Sequence, residues 1–149
     1  MRICIIAFLA LFAASGAIGQ DLIDIDIISK IESNDNPLAY NHTDGGSTGQ
    51  YQIAPICMRA FNAAHGTNYR VVDLYNPTIN KTIALWALNE EIPRMLKKYG
   101  FKVNKRNVII AYNAGISYVV KKRPLPLITR QYLAKYDSLV LSKAKHEHP

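Results

Sequence analysis

One stretch restricts the fold more than any other: Val108-Ile109-Ile110-Ala111-Tyr112-Asn113-Ala114, opened by Asn107 and stopped by Gly115. A helix that is apolar on nearly every face has no side to give to water, so it must be surrounded. Each large aliphatic side chain it buries stabilises the fold by roughly 1.5–3 kcal/mol. The rest of the chain therefore has to supply amphipathic segments that wrap it. Asn113 is out of place in such a helix unless its amide is satisfied or used.

Those wrapping segments are readable. Ile23, Ile27, Ile28 and Ile31 keep a helical period that starts at Asp24 or Asp26 and reaches Ser33, with acids in the first turn as the macrodipole prefers. The alternation through Ile23, Ile25 and Ile27 would also fit a strand, but Ile28 and Ile31 break that period. Asn36-Pro37 ends the segment, because the residue before proline avoids the helical region. Pro55 suits the first turn of a helix running through Met58 and Phe61, with Gly66 as its cap. Asn76-Pro77 supplies the N-cap and first position of another, with Ile79, Ile83 and Trp86 on one face. Pro93 should kink or interrupt it, and Gly100 follows its basic end, Lys97-Lys98. Ile128, Tyr132, Leu133, Tyr136, Leu139 and Val140 mark a last amphipathic helix. Trp86 reads as a core residue, and there is no hairpin signal or internal repeat. The fold class is all-α.

At 149 residues the chain suits one domain with a real core. Residues 1–19 read as a cleaved secretory signal: Arg2, an apolar run from residue 3 to 12, then small residues with Ala17 and Gly19 ahead of Gln20. The apolar run is shorter than the ~20 residues a membrane span needs. Residues 20–149 would then form the mature domain, exported to the periplasm or cell envelope and without stable membrane insertion. Losing Arg2 takes the formal net charge from +7 to +6. A basic exported protein meets anionic envelope polymers and phospholipid surfaces; the charge steers such encounters, or serves only as a solvated face. No groove-reading motif or aromatic platform supports a nucleic-acid partner. With Cys4 in the leader, Cys57 stands alone and reads as a small buried hydrophobe. His146 and His148 are two ligands at a chain end, too few for a metal site.

The candidate chemistry sits where the first helix stops. Glu32 lies in its last turn, where the macrodipole disfavours negative charge, and partial burial would disfavour it again. Both effects raise a carboxyl pKa toward the range of a general acid. Taken alone, such a glutamate is a surface charge. After it, residues 40–52 read Tyr-Asn-His-Thr-Asp-Gly-Gly-Ser-Thr-Gly-Gln-Tyr-Gln, a polar segment whose glycines let a substrate come close. It is no phosphate loop, having neither a preceding strand nor a following Lys-Ser/Thr.

Four features occur in register: Glu32-Ser33; residues 46–53 with Pro55; Asp73-Leu74 to Asn80; and Ala111-Tyr112-Asn113-Ala114-Gly115. Together they resemble the catalytic domain of lytic transglycosylases, relatives of goose-type lysozyme, over roughly residues 27–136. The resemblance implies a lysozyme-like helical domain of about five to seven helices with a substrate groove. It implies Glu32 as the catalytic acid/base and Ser33 as its polar neighbour. Gln52 and Asn113 would contact sugar, with Tyr112 beside the site and Tyr132 near the glutamate; Gly49 and Gly115 would be backbone positions. The substrate would be peptidoglycan glycan strands, cut with a 1,6-anhydro product and no metal or cofactor.

The chain departs from the family where Gln50-Tyr51 replaces a Leu-Met pair; Tyr51 could cover the sugar as the methionine would. No second carboxylate is in the matched motifs, and Asp35 and Asp44 are candidates by sequence proximity. The size and leader are most like the small specialised enzymes of secretion, conjugation or pilus machines, whose components would be partners. A lysozyme-type hydrolase, a phage wall-entry enzyme and a non-catalytic wall-binding protein are the alternatives.

Overall fold

The computed structural model describes residues 23–147, so the expected leader lies outside the described residues, as does His148. Seven α-helices are described: α1 (Ile25–Ser33), α2 (Pro55–His65), α3 (Pro77–Trp86), α4 (Ile92–Lys98), α5 (Lys105–Ala114), α6 (Ile116–Val120) and α7 (Leu127–Glu147). A 3₁₀ turn at Val71–Tyr75 precedes α3. The all-α expectation holds, with one addition.

Residues 40–52 contain a small antiparallel hairpin, β1 (Tyr40–Asn41) with β2 (Ser47–Thr48), pairing Tyr40 with Thr48 and Asn41 with Ser47. The expectation of no hairpin is therefore corrected. Strands of two residues have no alternation to detect. Their turn is set instead by Gly45 and Gly46, at φ +90° and +95°, and by Asp44, whose carboxylate accepts the Ser47 amide at 3.0 Å.

The helix ends follow the local chemistry. The Asp24 carboxylate accepts the amides of Asp26 and Ile27 at 3.0 and 3.3 Å, satisfying two of the open donors of α1. Asn34 leaves α1 in a left-handed conformation, and Gly66 does the same for α2. Asn76 caps α3 with Pro77 at its first position. Pro93 has no N–H and crowds the carbonyl four residues before it; the chain answers with one π turn, Ala87–Glu91, before α4 resumes.

Helix α5 packs against α4, α6 and α7, and its Val108 and Ile109 are 1% exposed. Trp86 lies in the core, edge-on to Phe61 at 5.4 Å between ring centroids. Cys57 is half-buried, and its thiol is pushed up to about 11, chiefly by burial, so it is no ready nucleophile. Along α7 the sequence phase is off by one at the start: Ile128 is 68% exposed, and Thr129, at 1%, faces inward in its place. Tyr132, Leu133 and Tyr136 are buried as expected. The α7 helix is fastened to the start of α1, where the Tyr136 hydroxyl accepts the Asp24 amide at 2.7 Å and Lys143 reaches the Asp24 carboxylate at 2.7 Å. Among the described residues no helix is long and apolar enough to cross a membrane.

Candidate active site

Glu32 lies in the last turn of α1 and meets Tyr132 of α7, one hundred residues later in the chain. The Tyr132 hydroxyl donates to Glu32 Oε1 at 2.8 Å, and the tyrosine is 7% exposed. Burial raises the Glu32 carboxyl from an ordinary 4.5 to about 7; the Tyr132 hydrogen bond pulls it down, and the charge of Asp44 pushes it up again. Among the described residues Oε2 of Glu32 makes no hydrogen bond. With Oε1 occupied as an acceptor, a proton on this carboxyl belongs on Oε2, the oxygen left open. Tyr132 cannot share the charge, since burial first and then the neighbouring glutamate drive its own pKa far upward.

The wall behind Glu32 comes from α5. The Tyr112 hydroxyl donates to the Tyr51 carbonyl at 2.8 Å; burial, then the nearby Glu32 charge, raises its pKa well above the usual value. Tyr112 is thus a neutral, fixed neighbour of the acid. Asn113, one residue on and half-buried, makes no side-chain hydrogen bond among the described residues, so its amide is open for use.

The glycine-rich segment is locked from inside the protein. Ser33 Oγ donates to the Gln50 carbonyl at 2.8 Å and accepts the Asn36 amide at 3.0 Å, tying the end of α1 to the loop. Gln52 sits at φ +48°, a conformation a side chain of its type rarely adopts, and its Nε2 donates to the Gly49 carbonyl at 3.0 Å. Asn80 of α3, fully buried, holds the segment with three bonds: its Oδ1 accepts the Tyr51 amide at 2.8 Å, and its Nδ2 donates to the Thr48 and Leu74 carbonyls at 2.9 Å. A Cβ on Gly49, at φ +80°, would collide with the Leu74 carbonyl oxygen and the Asn80 amide, so only glycine fits.

A scan against protein families matches the transglycosylase SLT domain over residues 14–125. The chain belongs to that family. Comparison with curated proteins and with solved structures gives no match. Membership in the SLT family makes peptidoglycan the substrate class, and the helical fold agrees with it. The match starts inside the segment read as a leader and stops two residues before α7, so Tyr132 lies beyond it.

Tyr51, expected to cover a sugar, is instead 1% exposed and belongs to the core. Its backbone amide is held by Asn80 and its carbonyl by Tyr112, which fixes the main chain from which the side chain enters the core. Its neighbour Gln50 also turns inward, donating from Nε2 to Ser29 Oγ at 2.8 Å. The Gln50-Tyr51 pair is thus an internal tie where a groove surface was expected. The two candidate carboxylates also separate. Asp35 accepts Ser29 Oγ at 2.5 Å and pairs with Lys30 at 3.4 Å, on the side of α1 bound to Gln50. Asp44, held in the hairpin turn by Ser47 and by the Asn41 amide at 3.0 Å, is the one whose charge reaches Glu32. Asn80 was visible only as a motif position; nothing local in the sequence announces that a buried asparagine will clamp a loop thirty residues away.

Proposed function

We propose that this SLT-family chain is a peptidoglycan lytic transglycosylase with Glu32 as its single acid/base. The observation that carries the reading is the half-buried Glu32 carboxyl, its pKa raised to about 7, with one oxygen held by Tyr132 and the other open. A group poised there can be a proton donor and, a step later, a proton acceptor.

In the proposed sequence, Glu32 Oε2 gives its proton to the oxygen linking N-acetylmuramic acid to N-acetylglucosamine. The C1–O bond breaks with its electron pair moving to that oxygen, and positive charge develops at C1. The acetamido carbonyl of the same muramyl residue bonds to C1 and holds the charge as an oxazolinium ring. Glu32, now ionised and steadied by the Tyr132 hydroxyl, takes the proton of the sugar's own C6 hydroxyl. That oxygen attacks C1, the oxazolinium opens back to the acetamide, and a 1,6-anhydro sugar leaves with no water consumed. Asn113 and Gln52 would contact the glycan, while Ser33 and Tyr112 hold the walls. The site is proposed to work in the periplasm or cell envelope, opening the wall locally for a secretion, conjugation or pilus machine.

Asp44 favours one second reading, a muramidase in which water replaces the C6 hydroxyl. A second carboxylate whose charge reaches the acid could hold that water. Mass spectrometry of digested sacculi separates the two. Anhydro-muramyl ends support transglycosylation, whereas reducing ends alone overturn it in favour of hydrolysis.

A further inference from the structure

The charge on this chain is unevenly divided. Residues 92–136 contain eleven of the 18 Lys and Arg residues and no Asp or Glu. In this acid-free stretch α4, α5 and α6 pack together, and the loop from α6 to α7 reads Lys121-Lys122-Arg123-Pro124-Leu125-Pro126-Leu127-Ile128. Lys121, Lys122 and Arg123 are all exposed, and among the described residues none of them forms an ion pair. Arg123 is steadied by the Tyr118 ring, 5.9 Å from its centroid. Directly after the cations, Leu127 and Ile128 are 61% and 68% exposed. Their outward position is fixed, because Thr129, Tyr132 and Leu133 take the inward positions of α7.

From this juxtaposition we infer that the α6–α7 loop and the start of α7 form a docking surface for an anionic phospholipid bilayer. Three unpaired cations suit phosphate headgroups, each contributing roughly a fivefold gain in binding near such a surface. Leu127 and Ile128 suit the boundary between headgroups and acyl chains, where exposed aliphatic groups leave water. A glycan strand or nucleic acid would use the cations but has no use for two adjacent aliphatic side chains, and this is why lipid is the partner chosen. The helix rises about 1.5 Å per residue, so Ile128 lies only about 6 Å along α7 from Tyr132. Docking through this face therefore brings the Glu32–Tyr132 side of the protein close to the membrane, whatever bond that site cleaves.

The test uses the full chain with vesicles of phosphatidylglycerol in phosphatidylethanolamine, and with phosphatidylcholine vesicles as the neutral case. Hydrogen exchange reads where contact occurs, and sedimentation reads how tightly. The expected result is new amide protection over residues 120–131 on the anionic vesicles, lost at high salt. The triple variant Lys121→Gln, Lys122→Gln, Arg123→Gln should bind about 100-fold more weakly. The pair Leu127→Ser, Ile128→Ser should also lose the protection, although it keeps every charge. These side chains are exposed, so both variants should melt as the parent does. The inference is overturned if residues 120–131 gain no protection, or if both variants bind vesicles like the parent. It is also overturned if the variants lose binding to isolated sacculi and keep it to vesicles, which would make the surface a wall contact.

Discussion

Replacing Glu32 by glutamine tests the half-buried acid through stability, independently of turnover. A carboxyl raised from 4.5 to about 7 on folding holds its proton more tightly in the native chain than in the unfolded one. Below pH 4.5 both states are protonated, and the group is neutral with respect to stability. As pH rises from 4.5 to 7 the unfolded chain releases the proton and the native chain keeps it, so stability falls. The gap of about 2.5 pH units, at 1.36 kcal/mol per unit, makes the loss about 3 kcal/mol once pH passes 7. Glutamine has the same shape, can accept the Tyr132 hydroxyl through its Oε1, and never ionises. Glu32→Gln should therefore match the parent near pH 4 and exceed it by about 3 kcal/mol at pH 8, while wall cleavage drops at least 100-fold. Urea unfolding at several pH values with the two proteins side by side gives the difference directly. A difference that stays flat from pH 4 to 8 would show that Glu32 titrates like a surface carboxylate, and the reasoning from burial would be wrong.

The remaining predictions concern the groups around it. Tyr132→Phe removes the hydrogen bond that favours the ionised form, so the Glu32 pKa should rise by about one to two pH units; the alkaline limb of activity on sacculi should move up with it, and an unmoved limb would exclude the contact. Asp44→Asn removes a negative charge that helps hold the Glu32 proton; the same limb should move down by a fraction of a pH unit, and product analysis would also show whether reducing ends disappear. Gly49→Ala forces a Cβ into the Leu74 carbonyl and the Asn80 amide at positive φ; a loss of several kcal/mol in denaturant unfolding is expected, and a loss under about 0.5 kcal/mol would contradict the packing described.

Much of the fold was legible because its signals are local. Asn76-Pro77, Pro55, Gly66 and Gly115 act through their own backbone, and the apolar run of α5 states its burial without help from neighbours. Glu32, Tyr112, Asn113 and Tyr132 were named from an ordered set of motifs, and the structure brings Glu32, Tyr112 and Tyr132 together. What stayed hidden depends on groups distant in sequence. The Tyr51 backbone is held by Asn80 and Tyr112, twenty-nine and sixty-one residues away, and no pattern within residues 46–53 encodes that. Likewise Gln50 finds Ser29, while Asp44 rather than Asp35 faces the acid because a hairpin of two-residue strands turns it there. Hydrophobicity alone points Ile128 inward, whereas the smaller Thr129 takes that position and leaves Ile128 exposed.

The tether between Tyr132 and Glu32 also has a meaning for chain synthesis. The acid is laid down early, and the hydroxyl that positions it comes a hundred residues later, on the last helix. A chain ending before Leu127 would already contain α1, the glycine-rich segment and α5, yet its Glu32 would lack both the Tyr132 bond and the cover of α7. Such a glutamate would titrate closer to an ordinary carboxylate and be ionised at neutral pH, with no proton to give. Under the proposed function, such a fragment would leave the wall uncut until the final helix docks.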